Sequence, residues 1–200
     1  MRELALNVLD IVENSLAAGA KLVKVALTVR LCDDFLSICI EDDGCGMDKE
    51  MLARVTDPFT TTRTTRKVGM GVPLFKFSAE SAGGRFGIRS EKGKGTEVTA
   101  EYVISHVDRM PLGDFGGVCL QLVTMNPAVD FRIRAEGDGK EGVLDTREVR
   151  AVLGEDISLS APEVRAFLKD YIQENLVDIF GGRLCCLLYT SPSPRDGATS

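Results

Sequence analysis

The sequence predicts a mixed α/β layered domain, and two observations carry that prediction. Segments with helical periodicity alternate with strand hairpins over the first hundred residues, in the order helix, hairpin, helix, hairpin. Each strand alternates apolar and polar residues, so each sheet face has one kind of side chain to offer.

Residues 2–18 read as a helix. Leu4, Val8, Ile11 or Val12, Ser15 and Leu16 form one stripe, while Asn7, Asp10, Asn14 and Ala17 form another. Gly19 suits a left-handed stop. Val23, Val25, Leu27 and Val29 alternate as a strand, and Cys32-Asp33-Asp34 makes a hairpin turn. Leu36, Ile38 and Ile40 continue the alternation, with Asp42 on the same parity. An inward carboxylate at a strand end is costly unless something hydrogen-bonds it. The residues alone leave open whether the strand instead finishes at Glu41, with Asp42 in a solvated turn.

Asp48 is suited to cap a short helix. Residues 57–72 form a loop rich in Thr, Arg and Gly, and Val72 to Ala82 reads as a helix with Pro73 in its first turn. Strands at Arg85–Ser90 and Thr96–Val103 flank the turn at Lys92-Gly-Lys-Gly95. Beyond residue 108 the pattern predicts a helix over 112–125, a hairpin around Glu136-Gly-Asp-Gly-Lys140, and helices over 146–153 and 162–180. Ser160 is expected in the N-cap region of the last.

Composition sets bounds. The 200 residues are 44% hydrophobic with a net charge of −6, which fits a globular chain and argues against bulk nucleic-acid binding. No apolar run approaches a membrane span, and no secretory leader is seen. The cysteines at 32, 39, 45, 119, 185 and 186 show no C-x-x-C spacing, so a reduced cytoplasmic setting is expected. Residues 186–196 resemble an in-frame translation of a sequencing adapter, so residues 186–200 are expected not to be native protein.

Four motifs in fixed order carry the chemistry: Asp10-Ile-Val-Glu-Asn14, Asp42-Asp-Gly44-Cys-Gly46, Gly69-Met-Gly71 and Gly93-Lys-Gly95-Thr96. Competing patterns fail. The last has no Walker A spacing, Gly69-Met-Gly71 lacks a dinucleotide fingerprint's third glycine, and the sole histidine, His106, has no ligand cluster around it. Over residues 1–103 the chain resembles the GHKL superfamily of gyrase, the heat-shock chaperone ATPase, histidine kinases and MutL. Its first box is closest to MutL and its later boxes to histidine kinases. More narrowly, it resembles stand-alone ATP-binding proteins of this class in anaerobic bacteria.

The resemblance implies an α+β, two-layer sandwich of the Bergerat, histidine kinase-like type. The ATP-binding domain would span 1–107, with a small α/β extension over 108–185. It implies Mg²⁺-ATP as cofactor, with Asn14 the metal ligand and Asp42 accepting from the adenine amine. Gly44, Gly46 and Met47 would lie along the base, and Thr96 would help hold the same edge through water. Residues 57–72 would form a mobile lid, with Arg63, Arg66 and Lys67 on the phosphates and Gly69, Met70 and Gly71 at its helix start. Asp10 stands where MutL and gyrase hold a catalytic glutamate. A slow ATPase or in-trans kinase with a protein partner is expected. The alternative is a nucleotide-gated switch of anti-sigma type. Asp10, Asn14 and the basic loop are also compatible with ordinary solvated surface, and Thr96 with a strand threonine that merely follows a tight turn.

Overall fold

The computed structural model describes residues 3–55, 70–154 and 157–181. The elements are α1 (Leu4–Ala17), β1 (Leu22–Arg30), β2 (Phe35–Asp42), α2 (Lys49–Val55), α3 (Gly71–Ser81), β3 (Arg85–Glu91) and β4 (Gly95–Val103). They continue with α4 (Phe115–Met125), β5 (Asp130–Gly137), β6 (Lys140–Asp145), α5 (Thr146–Leu153) and α6 (Pro162–Phe180). The strands form one six-stranded sheet in the order β3-β4-β2-β1-β5-β6. Every neighbouring pair is antiparallel except β1 with β5.

The alternation read from the sequence sets the layering. Val23, Val25, Leu27 and Val29 of β1 are buried, as are Leu36, Ile38 and Ile40 of β2, while their neighbours are partly or fully exposed. Register extends these positions into rows across the sheet, such as Phe86, Ala100, Ile38, Leu27 and Ala135. The helices pack side by side, α1 between α3 and α4, and α4 against α6. Helix α1 buries Leu4, Val8, Ile11 and Val12, each worth about 1.5–3 kcal/mol on removal from water. The result is an α+β two-layer sandwich.

Residues 108–181 share this sheet. Leu22 through Val29 pair with Asp130 through Gly137. The first amides of α1, which a helix cannot satisfy itself, are taken by the carbonyls of Pro111 and Leu112, each at 2.9 Å.

Two helix starts differ from expectation. Helix α4 begins at Phe115, because the Asp114 carboxylate accepts from Gly117 N–H at 2.8 Å. A Cβ on Gly117 would sit 2.1 Å from that carboxylate, so the glycine makes room for the cap. Ser160 does not cap α6. The capping position is Ala161, with no side-chain bond, and Pro162 opens the helix. Ser160 Oγ instead lies 2.8 Å from Ser158 Oγ.

Candidate functional site

Strand β2 runs through Asp42, so the carboxylate faces inward with Ile38 and Ile40 and is 8% exposed. Two donors meet it. The Ser15 hydroxyl on α1 donates to Oδ2 at 2.7 Å, and Gly44 N–H donates to Oδ1 at 2.9 Å. An ionised carboxylate has about four lone-pair sites, so acceptor capacity remains. The open alternative of a solvated turn is thereby settled: Asp42 belongs to the strand.

Asp42 sits in a row that runs from Val23 on β1 to Thr96 on β4 and Ser90 on β3. Ser90 Oγ lies 2.8 Å from Met47 N, 2.9 Å from Gly95 O and 2.9 Å from Thr96 Oγ1. Asp42 and Thr96 of this row form the floor of a pocket of about 540 Å³. Ile11, Val72, Ile88 and Val98 supply apolar walls, and Asn14, Asp42 and Thr96 supply polar groups.

The loop after β2 closes one end. Cys45 N–H donates to Ala18 O at 3.0 Å, and Gly93 N–H donates to Cys45 O at 2.8 Å, which ties the loop to both α1 and the β3–β4 turn. Gly46 has φ +60°, and a Cβ there would stand 2.1 Å from Glu91 O. Asp43 points away from the pocket's floor and accepts from Lys21 N–H at 2.7 Å and Leu22 N–H at 2.9 Å. Partial burial works to raise its carboxyl, but these amides win and hold it below the ordinary carboxylate value.

Of the residues singled out from sequence, Asn14, Asp42, Gly46, Met47 and Thr96 line the pocket. Gly44 is buried beneath it against Ala18. Gly71 opens α3 beside α1: a Cβ there would lie 3.0 Å from Asp10 Cβ and 3.7 Å from Asn14 Nδ2. Met70 is exposed at that helix's cap. Asp10 is exposed and outside the lining. Arg63, Arg66, Lys67 and Gly69 lie outside the described residues. Sequence reasoning missed the roles of Ser15, Ser90 and Asp43. For Ser15 a signal existed, since a hydroxyl on an apolar stripe needs a buried partner.

The profile of the family described as histidine kinase-, DNA gyrase B- and HSP90-like ATPase matches residues 2–105. The chain belongs to this family. It carries a GHKL-superfamily ATPase domain, and ATP is the ligand that membership implies. Among similar proteins, the sensor protein kinase FleS of Pseudomonas aeruginosa is 42% identical over 95 residues, covering 46% of this chain and 23% of that protein. A putative sensor protein of Shewanella frigidimarina is 29% identical over 85 residues, covering 42% and 13%. An NtrY-like putative sensor histidine kinase of Rickettsia conorii is 24% identical over 108 residues, covering 54% and 18%. The chain thus spans less than a fifth of the latter two proteins.

Among solved structures, the N-terminal domain of a DNA repair protein aligns with TM-score 0.49 at 14% identity, covering 92% of this chain and 58% of that one. The Aquifex aeolicus MutL ATPase domain complexed with ADP aligns with TM-score 0.40 at 18% identity, covering 73% and 67%. Among the described residues no helix is long and apolar enough to cross a membrane. Among the same residues no cluster of three or more His, Cys, Asp or Glu is disposed to hold a metal.

The donor set fits a nucleotide. A volume near 540 Å³ lies within the range of about 300–1,000 Å³ for small-molecule pockets. Its apolar walls suit a base, and the Asp42 carboxylate suits an amine. Asn14 brings a single neutral amide oxygen, which fits Mg²⁺ only as an ion carrying its own phosphates and waters.

Proposed function

We propose that this protein binds Mg²⁺-ATP in the pocket between α1 and the β2–β4 floor and acts as a slow ATPase or as a protein kinase on an acceptor supplied in trans. One observation carries the reading: the buried Asp42 carboxylate, held by Ser15 and Gly44, with acceptor capacity left on the pocket floor. In this reading Asp42 accepts from the 6-amino group of adenine, and Thr96 holds the same edge. Gly44 and Gly46 keep the loop close to the base, with Met47 beside it. Asn14 is the protein's ligand to the ion. When bound, Mg²⁺ neutralises phosphate charge.

From sequence alone, Arg63, Arg66, Lys67 and Gly69 are assigned to the phosphates, with Met70 and Gly71 at the start of α3. Asp10 is assigned the acid role near the γ-phosphate. A protein partner, a cytoplasmic setting and no nucleic-acid partner complete the proposal.

Calorimetric titration of ATP, ADP and GTP tests it, using wild type, Asp42→Asn and Asn14→Ala with and without Mg²⁺. The expected outcome is ATP binding without GTP binding, loss of at least tenfold in affinity in Asp42→Asn, and loss of the Mg²⁺-dependent part in Asn14→Ala. Equal affinity of wild type and Asp42→Asn for ATP would refute the site.

A second reading, a nucleotide-gated partner switch of anti-sigma type, is favoured by one feature. Among the described residues, Asp42 is the sole acid lining the pocket, and Asp10 stands outside it. That reading predicts a partner affinity that differs between ATP, ADP and no nucleotide where turnover is negligible.

A further inference from the structure

We infer that Ser90 fixes the polarity of Thr96, and that the pocket floor thereby presents two neighbouring acceptors that select a primary amino group on the base. This rests on the nucleotide-binding reading above and names a residue that sets its specificity.

Ser90 Oγ has one proton and three partners. Met47 N–H is a donor, so Ser90 accepts there, at 2.8 Å. Gly95 O is an acceptor, so the Ser90 proton goes to it, at 2.9 Å. The contact to Thr96 Oγ1, also 2.9 Å, can then be a hydrogen bond only if Thr96 donates. All three bonds coexist in this one arrangement alone. The Thr96 proton is committed to Ser90, and Thr96 shows the pocket lone pairs only.

Its cross-strand partner is Asp42, a carboxylate whose two observed partners, Ser15 and Gly44, are both donors. Opposed Cβ atoms on antiparallel strands lie about 4.5–5.5 Å apart. One nitrogen giving two N–H bonds at 120°, each about 2.9 Å long, needs acceptors about 5 Å apart, a spacing that short side chains starting from opposed Cβ atoms and lining the same pocket can span. A 6-amino purine supplies that group. A 6-oxo purine puts a carbonyl oxygen between two acceptors, and with the Thr96 proton held by Ser90 the threonine cannot turn to donate.

The probes are ATP and inosine triphosphate, whose base carries a 6-carbonyl. Their dissociation constants are measured for wild type, Ser90→Ala, Ser90→Thr and the double variant Ser90→Ala/Thr96→Val. Removing the Ser90 hydroxyl frees the Thr96 proton to donate to the carbonyl. The preference for ATP is therefore expected to narrow by about five- to tenfold, the size of one neutral hydrogen bond, through a gain for inosine triphosphate. Ser90→Thr keeps the hydroxyl and the wild-type ratio, and the double variant has no proton to give and shows no gain. Should Ser90→Ala not fold, Ser90→Cys, whose thiol is a weak donor, reads the same ratio.

A ratio unchanged in Ser90→Ala overturns the inference while leaving ATP binding intact. So does a gain that persists in the double variant, which would mark a loosened pocket. Failure of wild type to bind ATP sinks the nucleotide reading itself.

Discussion

The Ser15 hydroxyl on α1 donates to Asp42 Oδ2 on β2 at 2.7 Å, joining the helix that carries Asn14 to the strand that carries the buried carboxylate. The bond lies beneath the pocket and fixes both the direction of the carboxylate and the distance of α1 from the sheet. Ser15→Ala leaves Asp42 with the Gly44 amide as its remaining observed donor. A hydrogen bond to a carboxylate contributes about 1.5–3 kcal/mol. Urea unfolding of Ser15→Ala is expected to report a loss in that range, with a matching fall in nucleotide affinity by calorimetry. An unchanged midpoint would show that the bond contributes nothing net.

Gly46→Ala combines two faults. Its φ of +60° disfavours any L side chain, and the added Cβ would stand 2.1 Å from the Glu91 carbonyl, which belongs to a strand and cannot yield as a flexible side chain would. The expected loss is about 2–4 kcal/mol, read as a lower urea midpoint with unchanged slope. Gly93→Ala serves as the comparison. It too has positive φ, at +81°, but its Cβ would meet nothing within 4 Å, so only the smaller conformational part should appear.

How much of this was legible in the sequence depends on how local each signal is. The parity of Leu36, Ile38 and Ile40 puts Asp42 on the inward face, because period two is written in adjacent residues, but parity does not say where a strand ends, so a solvated turn stayed open until the structure carried β2 through Asp42. The helical stripe placed Ser15 against the core but could not name its partner, 27 residues away on another element. Ser90 was invisible for the same reason: its bond to Met47 spans 43 residues and exists only through the register of β3 on β4. The parallel pairing of β1 with β5 leaves no local mark either, since it joins segments roughly a hundred residues apart. The start of α4 was read too early, at Leu112, because the apolar pattern runs through that residue, whereas the Asp114 cap, with Gly117 making room for it, sets the first turn at Phe115.

Asp43 gives the loop behind the pocket a dependence on pH. Its folded-state carboxyl is held low by the Lys21 and Leu22 amides against the opposing effect of partial burial. A depressed carboxyl contributes stability that is complete above the unfolded value, about 3.9, and that disappears as pH falls through the folded value. Wild type is therefore expected to lose more stability between pH 5 and pH 3 than Asp43→Asn, which keeps an acceptor oxygen but has no proton to take up. Urea midpoints at several pH values in that window check this, and parallel curves for the two proteins would remove Asp43 from the account.

Cutting the chain after Val107 tests whether the nucleotide pocket can exist without the strands that follow. The cut removes Pro111 and Leu112, whose carbonyls accept from the first amides of α1. It also removes β5, which pairs along β1 from Leu22 to Val29. Leu122, Phe131, Leu159 and Leu168, each almost wholly buried, go with it. At about 1.5–3 kcal/mol apiece those four side chains alone amount to about 6–12 kcal/mol, comparable to a domain's entire margin of about 5–15 kcal/mol. The 1–107 fragment is expected to lack a cooperative thermal transition by circular dichroism and to show no ATP binding by calorimetry. A fragment that melts cooperatively and binds ATP as tightly as the full chain would mean that β1 tolerates a bare edge and that the later residues serve some purpose other than completing the sheet.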